Sequence, residues 1–374
     1  MTTFITKLDG TGTGPRLAVK DLIDVAGVPT TAGSRAVERS ASPAAADAAC
    51  LAGARAADAR IVGKANLHEL AMAPLGTNPW FGSPVNPLDA RLVPGGSSSG
   101  SAVAVATEEA DVAYGSDTGG SVRIPSACCG TVGLKTTHGR VSLEGVWPLA
   151  PSLDTVGPMA TTVAGTVLGM QLLEPGFTPA PTSAQRIGRL RTTGDPRIEA
   201  AIDDALRRAE LEVVTVDWDG WELAERVFMH VFFAEAWQSD HHLLDDSPDD
   251  LGEDIRQMLG MAPMFRDGLA DAQAQRPRWR QSLLDLFGQV ELLALPTLPI
   301  FPPTIEAVSG DGFLQAITDL ARHVAPFNPA GVPCTAQPVA AEGSAQPASL
   351  QLVGPPDGEE LLVATAARIE AALA

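Results

Sequence analysis

The chain has 374 residues, 45% of them hydrophobic and 19% charged, enough to bury a large core as one domain or two. Its net charge of −19 argues against nucleic acid, whose phosphates need Lys and Arg, and against adsorption to anionic lipid. No apolar run follows Lys7 as a signal peptide would require, and stretches such as 291–296 are far too short to span a membrane.

Strand-like and helix-like segments alternate. Residues 16–20, Arg-Leu-Ala-Val-Lys, read as a strand with one lysine among apolar neighbours. An alanine-rich helix is predicted over 43–59 and a short strand over 60–63. A helix over 98–107, a strand over 112–116, a short helix over 121–129 and a strand over 132–135 follow. Helices at 160–173 and 196–209 flank the weakest joint, 174–185, rich in Pro, Thr and Ser, where two lobes would divide. A strand at 211–216 leads into a helical excursion over about 221–290, with stretches at 221–243 and 268–288. Its aromatics Phe228, Phe232, Phe233 and Trp237 fall at helical spacing, which suits core packing or the wall of an acyl pocket. The end adds a strand at 292–295, a helix at 312–323, strands near 334–340 and 348–353, and a helix at 358–373. Such alternation predicts an α/β fold, a mixed central sheet covered by helices on both faces.

Residues 201–260 hold 16 acidic and 4 basic side chains, the pattern of a solvated outer face. Cys50, Cys128, Cys129 and Cys334 have neither metal-ligand spacing nor a disulfide framework, and read as reduced core residues of a cytoplasmic protein. There are only 4 lysines, at 7, 20, 64 and 135, against 22 arginines. A lysine kept inside an apolar strand is therefore singled out, because a guanidinium does not give up its proton and could not serve as a base.

Two Gly-Gly-Ser turns, ending at Ser97 and Ser121, each precede a predicted helix. Glycines let the backbone turn tightly and aim successive N–H groups at one point, where they can hold an oxyanion; a plain turn with a serine N-cap is the structural alternative. Residues 96–100 also fit the G-x-S-x-G elbow, but that motif needs a strand just before it, and Pro94-Gly95 makes a poor one. No Walker lysine and no G-x-G-x-x-G accompany the turns. Lys20 either snorkels to the surface as a structural residue or, if buried, has its ammonium form disfavoured and becomes available as a base.

Taken together these segments resemble the amidase signature family of Ser-Ser-Lys hydrolases. The likeness runs in order through Ala18–Ser34, Val62–Ala71, Gly76–Pro87, Pro94–Ala102, Gly115–Ser126, Cys129–Lys135, Gly139–Ser142, Ser152–Met159, Phe327–Pro333 and Leu350–Gly354. It implies Ser121 as acylated nucleophile, Ser97 as bridging serine with a cis peptide to Gly96, and Lys20 as base. It places an oxyanion hole on the N–H groups of Thr118, Gly119, Gly120 and Ser121, with Ser98 and Asp117 ordering the relay from behind. Arg123 reads as structural, and His138 as a structural histidine or part of the entrance. Parts of 72–77, Trp147, 299–303 and 327–328 would line the pocket. The resemblance further implies a single domain over 1–374, a small-molecule amide as substrate, and no metal or organic cofactor. Lys20 comes early for the family, whose customary helical amino-terminal region is missing, so a homodimer is left open.

Hydrolysis of a small carboxylic amide is the expected activity. A glutamine amidotransferase-type subunit passing ammonia to a partner, or an esterase or urethane hydrolase of the same family, are the alternatives. A non-catalytic scaffold is disfavoured by retention of all three side chains.

Overall fold

The computed structural model describes residues 2–374. Eleven strands join in one sheet: β1 (Phe4–Lys7), β2 (Arg16–Lys20), β3 (Arg60–Ala65), β4 (Val112–Ser116), β5 (Val132–Lys135), β6 (Val156–Ala160), β7 (Arg186–Leu190), β8 (Glu212–Val216), β9 (Leu292–Pro296), β10 (Cys334–Val339) and β11 (Ala348–Val353). Their spatial order is β1-β3-β2-β4-β6-β5-β10-β11-β9-β7-β8. The flanks are parallel (β3/β2/β4 and β9/β7/β8), and the centre, from β4 through β6, β5, β10 and β11 to β9, is antiparallel. Among the described residues no helix is long and apolar enough to cross a membrane.

Side-chain alternation along β2 divides two core layers. Leu17 and Val19 pack with Leu51, Ala54 and Leu172 on one side. Ala18 faces the other, against Ala102 and Val105 of the helix Ser99–Ala106. Lys20, two residues after Ala18, shares that second face, which is where the glycine-flanked serines lie. Beyond the centre, Leu350 and Leu352 of β11 pack on the helices Pro196–Arg208 and Glu359–Leu373, while Val353 joins Trp218, Trp279 and Phe327 on the opposite side. The sheet runs unbroken past residues 174–185, because β7 pairs with β9, so that joint does not separate a pair of lobes.

The expected alternation is present, with three strands unforeseen: β1, β6 and β7. Val156-Gly-Pro-Met-Ala160 and Arg186-Ile-Gly-Arg-Leu190 carry glycine or proline and charge where a strand pattern calls for β-branched residues. The predicted helix over 43–59 shrinks to Ala49–Ala56, because Pro43 and Ala44 are drawn into bridges with Pro29 and Ala26. Between β8 and β9 every regular element is helical, chiefly Trp221–Asp240, Glu253–Met261 and Leu269–Leu284. This segment brings Phe228, Phe232 and Phe233 into a core that also contains Leu70 and Met72.

Candidate active site

Lys20 ends β2 with no exposed surface. Its Nζ lies 2.7 Å from Ser97 Oγ and 2.8 Å from Ser116 Oγ. Burial pushes its pKa down from 10.5 to about 7, against the opposing pull of Asp117 and Asp154. Ser97 follows a cis peptide bond from Gly96. Its carbonyl accepts from His68 N–H at 3.0 Å, which ties this turn to the loop after β3. Ser98 faces the other turn: its N–H donates to Ser121 O at 3.2 Å and its hydroxyl to Ser116 O at 3.1 Å. Lys20 and Ser97 are thus in direct contact, and Ser98 binds the Ser97 turn to the Ser121 turn. Among the described residues no hydrogen bond joins the Ser97 and Ser121 hydroxyls.

The second turn is built on Asp117. Its carboxylate accepts from Gly120 N–H at 2.8 Å, from Val122 N–H at 3.2 Å, and from Arg123 Nε and Nη2 at 3.0 and 2.9 Å. Burial alone would raise this carboxyl, but the Arg123 guanidinium holds it well below the usual range. Arg123 is itself fully buried and also reaches Asn328 Oδ1 (2.7 Å) and Gln351 Oε1 (2.8 Å), so it is structural, as its sequence context suggests. The Gly120 N–H, expected in the oxyanion hole, is therefore engaged by Asp117 instead. The N–H groups of Thr118, Gly119 and Ser121 meet no acceptor among the described residues. Backbone N–H groups left without an acceptor at one turn can receive a negative oxygen.

Sequence reasoning missed Ser116, Asp154 and Asn328 as members of this framework. Asp154 accepts from Thr118 Oγ1 at 2.6 Å and from Leu149 and Ala150 N–H, and so fixes the back of the turn. Asn328 Nδ2 donates to Asp117 O and Oδ1 at 3.0 and 2.9 Å. The available signal was the strongly polar Gly115–Ser126 and Ser152–Thr155 text in segments that are otherwise apolar, since buried polar groups must find partners.

Thr118, Gly119 and Ser121 form a section of the lining of a cavity of about 880 Å³. Its other walls are mainly apolar: Met72 and Pro74, Met258 and Met261, and the aromatic face Phe228, Phe232 and Phe233 of the helix Trp221–Asp240. Phe228 and Phe232 stack with centroids 5.3 Å apart. These three belong to the core and also border the cavity, whereas Trp237 stacks on His241 away from it. Of the expected pocket walls only the stretch from Met72 to Pro74 is present. Trp147 instead donates to Asp240, Phe301 lies against Arg197, Asn328 is spent on Asp117, and His138 lies elsewhere.

A family model described as Amidase matches residues 13–363. The chain belongs to the amidase signature family. Its similarity to a glutamyl-tRNA(Gln) amidotransferase subunit from Halobacterium salinarum is 33% identity, over 99% of this chain and 98% of that one. A crystal structure of an amidase is 30% identical with a TM-score of 0.82, covering 96% of this chain and 85% of the other. Allophanate hydrolase from Kluyveromyces lactis is 25% identical with a TM-score of 0.87, over 96% of this chain and 62% of that one. The mixed sheet with flanking helices is that of amidase signature enzymes, whose chemistry is directed at C–N bonds.

Within this amidase fold Gly119 makes a close approach that only glycine allows. A Cβ added there would lie 2.6 Å from Phe228 Cζ. Gly119→Ala is expected to displace the turn and, through misplacement of one oxyanion donor, to slow labelling by a fluorophosphonate by about 10²-fold. Phe228→Ala in the same chain should return some of that rate by making room. Stopped labelling time courses on the single and double variants check this; an unaltered rate in Gly119→Ala would remove the Gly119 N–H from the oxyanion hole.

Proposed function

We propose that this enzyme hydrolyses the C–N bond of a carboxylic amide through an acyl-enzyme on Ser121. The carrying observation is the fully buried Lys20 amine, 2.7 Å from Ser97, beside a serine whose turn offers three unpaired N–H groups to an 880 Å³ cavity. Neutral Lys20 takes the proton of Ser97 as Ser97 takes that of Ser121, which attacks the carbonyl. The developing oxyanion rests on the N–H groups of Thr118, Gly119 and Ser121. The relay then returns a proton to the departing nitrogen, and water enters by the same route to free the acid. The hydroxyl-to-hydroxyl link is one that substrate binding has to tighten, as is common for catalytic hydrogen bonds in unliganded enzymes.

The apolar lining favours an amide with a sizeable apolar acyl group. Free glutamine would need charged partners for both its carboxylate and its ammonium; Glu222 and Glu225 line the cavity without an ion pair among the described residues, but Arg191 and Arg322 are already held by Asp203 and Asp319. A second reading, an ammonia-supplying glutaminase subunit, is supported by the near end-to-end similarity to a protein named as an amidotransferase subunit. Ammonia release from glutamine and from amides such as hexanamide and phenylacetamide separates the two. The apolar amides are expected to show at least about 10-fold higher kcat/KM, since one or two well-buried methylenes already give that much. A preference for glutamine of that size would establish the second reading instead.

A further inference from the structure

A second cavity, of about 470 Å³, lies against the helix Leu269–Leu284 and shares no lining residue with the first. Arg276 and Arg280 project into it from one face of that helix, four residues apart. Neither forms an ion pair among the described residues, and their hydrogen bonds end on uncharged oxygens. Arg276 donates from Nε to Pro329 O at 2.8 Å and from Nη1 and Nη2 to Ser152 Oγ and O at 3.2 and 3.0 Å. Arg280 donates from Nε to Ala330 O at 2.7 Å, and its two terminal nitrogens have no acceptor among the described residues. Burial lowers the pKa of the Arg276 guanidinium; Glu235, held by Ser152, opposes that, and the charge of Arg280 adds to it.

Two half-buried cations, four residues apart on one helix and without an ion pair among the described residues, are poorly compensated in a chain whose net charge is −19. The remaining wall does not supply the missing charge. Arg140 is occupied by Glu174, Glu359 and Glu360, none of which lines the cavity. Asp357 does line it but is exposed, so its charge is screened by solvent. His138, on the same wall, is held through Nε2 to Pro151 O at 3.0 Å, and its Nδ1 is unpartnered among the described residues. Planar guanidinium forks with free N–H groups match the paired oxygens of carboxylate and phosphate.

We propose that this cleft binds a small oxyanion, a carboxylate or a phosphate, between Arg276 and Arg280. Calorimetric titration of the full chain with inorganic phosphate and with succinate, at matched ionic strength, tests it. Saturable binding of either anion at one site per chain is expected, and the anion that binds identifies the chemistry. Arg280→Gln and Arg276→Gln should each weaken it at least tenfold, while Arg278→Gln, exposed on the same helix, should leave it unchanged. If Arg276→Gln fails to fold for want of its backbone ties, Arg280→Gln decides alone. Binding should also survive fluorophosphonate labelling of the first cavity. Absence of saturable binding for both anions overturns the proposal. So does wild-type affinity in Arg280→Gln, equal weakening in Arg278→Gln, or loss of binding on labelling.

Discussion

Ser121→Ala is expected to abolish fluorophosphonate labelling and to lower amide turnover by about 10⁴-fold or more, the scale on which loss of a serine nucleophile acts. The fold should barely notice. Among the described residues the Ser121 hydroxyl makes no hydrogen bond, so its removal orphans no partner and the loss should fall at the low end for point substitutions, about 0.5 kcal/mol. The turn itself is held by Asp117, Asp154 and Ser98, none of which uses that hydroxyl. An unchanged melting temperature beside lost labelling would isolate a chemical role. Labelling that persists in Ser121→Ala would transfer the nucleophile's role to another side chain and end the mechanism given above.

The second large effect concerns Lys20 and pH. A base must be neutral, and burial pushes Lys20 down to about 7. Below that value kcat/KM should climb tenfold per pH unit, and above it level off. Lys20→Met keeps the length and apolar stem but has no proton acceptor. It should lose activity by about 10³-fold or more, and any residual rate should lack the limb near pH 7. Lys20→Arg should be equally inactive because its charge is permanent. Stability supplies an independent readout. Between about 7 and 10.5 the unfolded chain holds the Lys20 proton and the folded chain does not, so stability rises with pH through that window. The methionine variant should lack that share of the slope. A wild-type rate maximum well below neutrality would exclude the neutral amine as base.

Much of this site was legible because its residues violate local expectation. A lysine in Leu-Ala-Val-Lys and glycine pairs before serines stand out, yet each alone also fits a structural role; it is their ordered resemblance to the amidase signature family that implies their parts in the relay. Partners across the fold were harder to see. Ser116 looked like the end of a strand and Asn328 like a pocket wall, since nothing local says that a polar side chain will be consumed by a carboxylate 211 residues away. The donor role of Gly120 failed for a related reason: sequence shows how many N–H groups a glycine turn can aim inward, but not that Asp117, three residues earlier, folds back to take one. The aromatic stripe at 228–233 was found by its spacing. Its face towards the first cavity depends on how the helical excursion docks on the loop after β3, which is tertiary information.

The scarcity of lysine has a practical side. Lys20, Lys64 and Lys135 have no accessible surface, whereas the Lys7 side chain is 73% exposed at the edge strand β1. Among lysine side chains, only that of Lys7 is open to a succinimidyl ester or an aldehyde-activated resin. Modification of lysine side chains would therefore fall on a single residue that borders neither cavity.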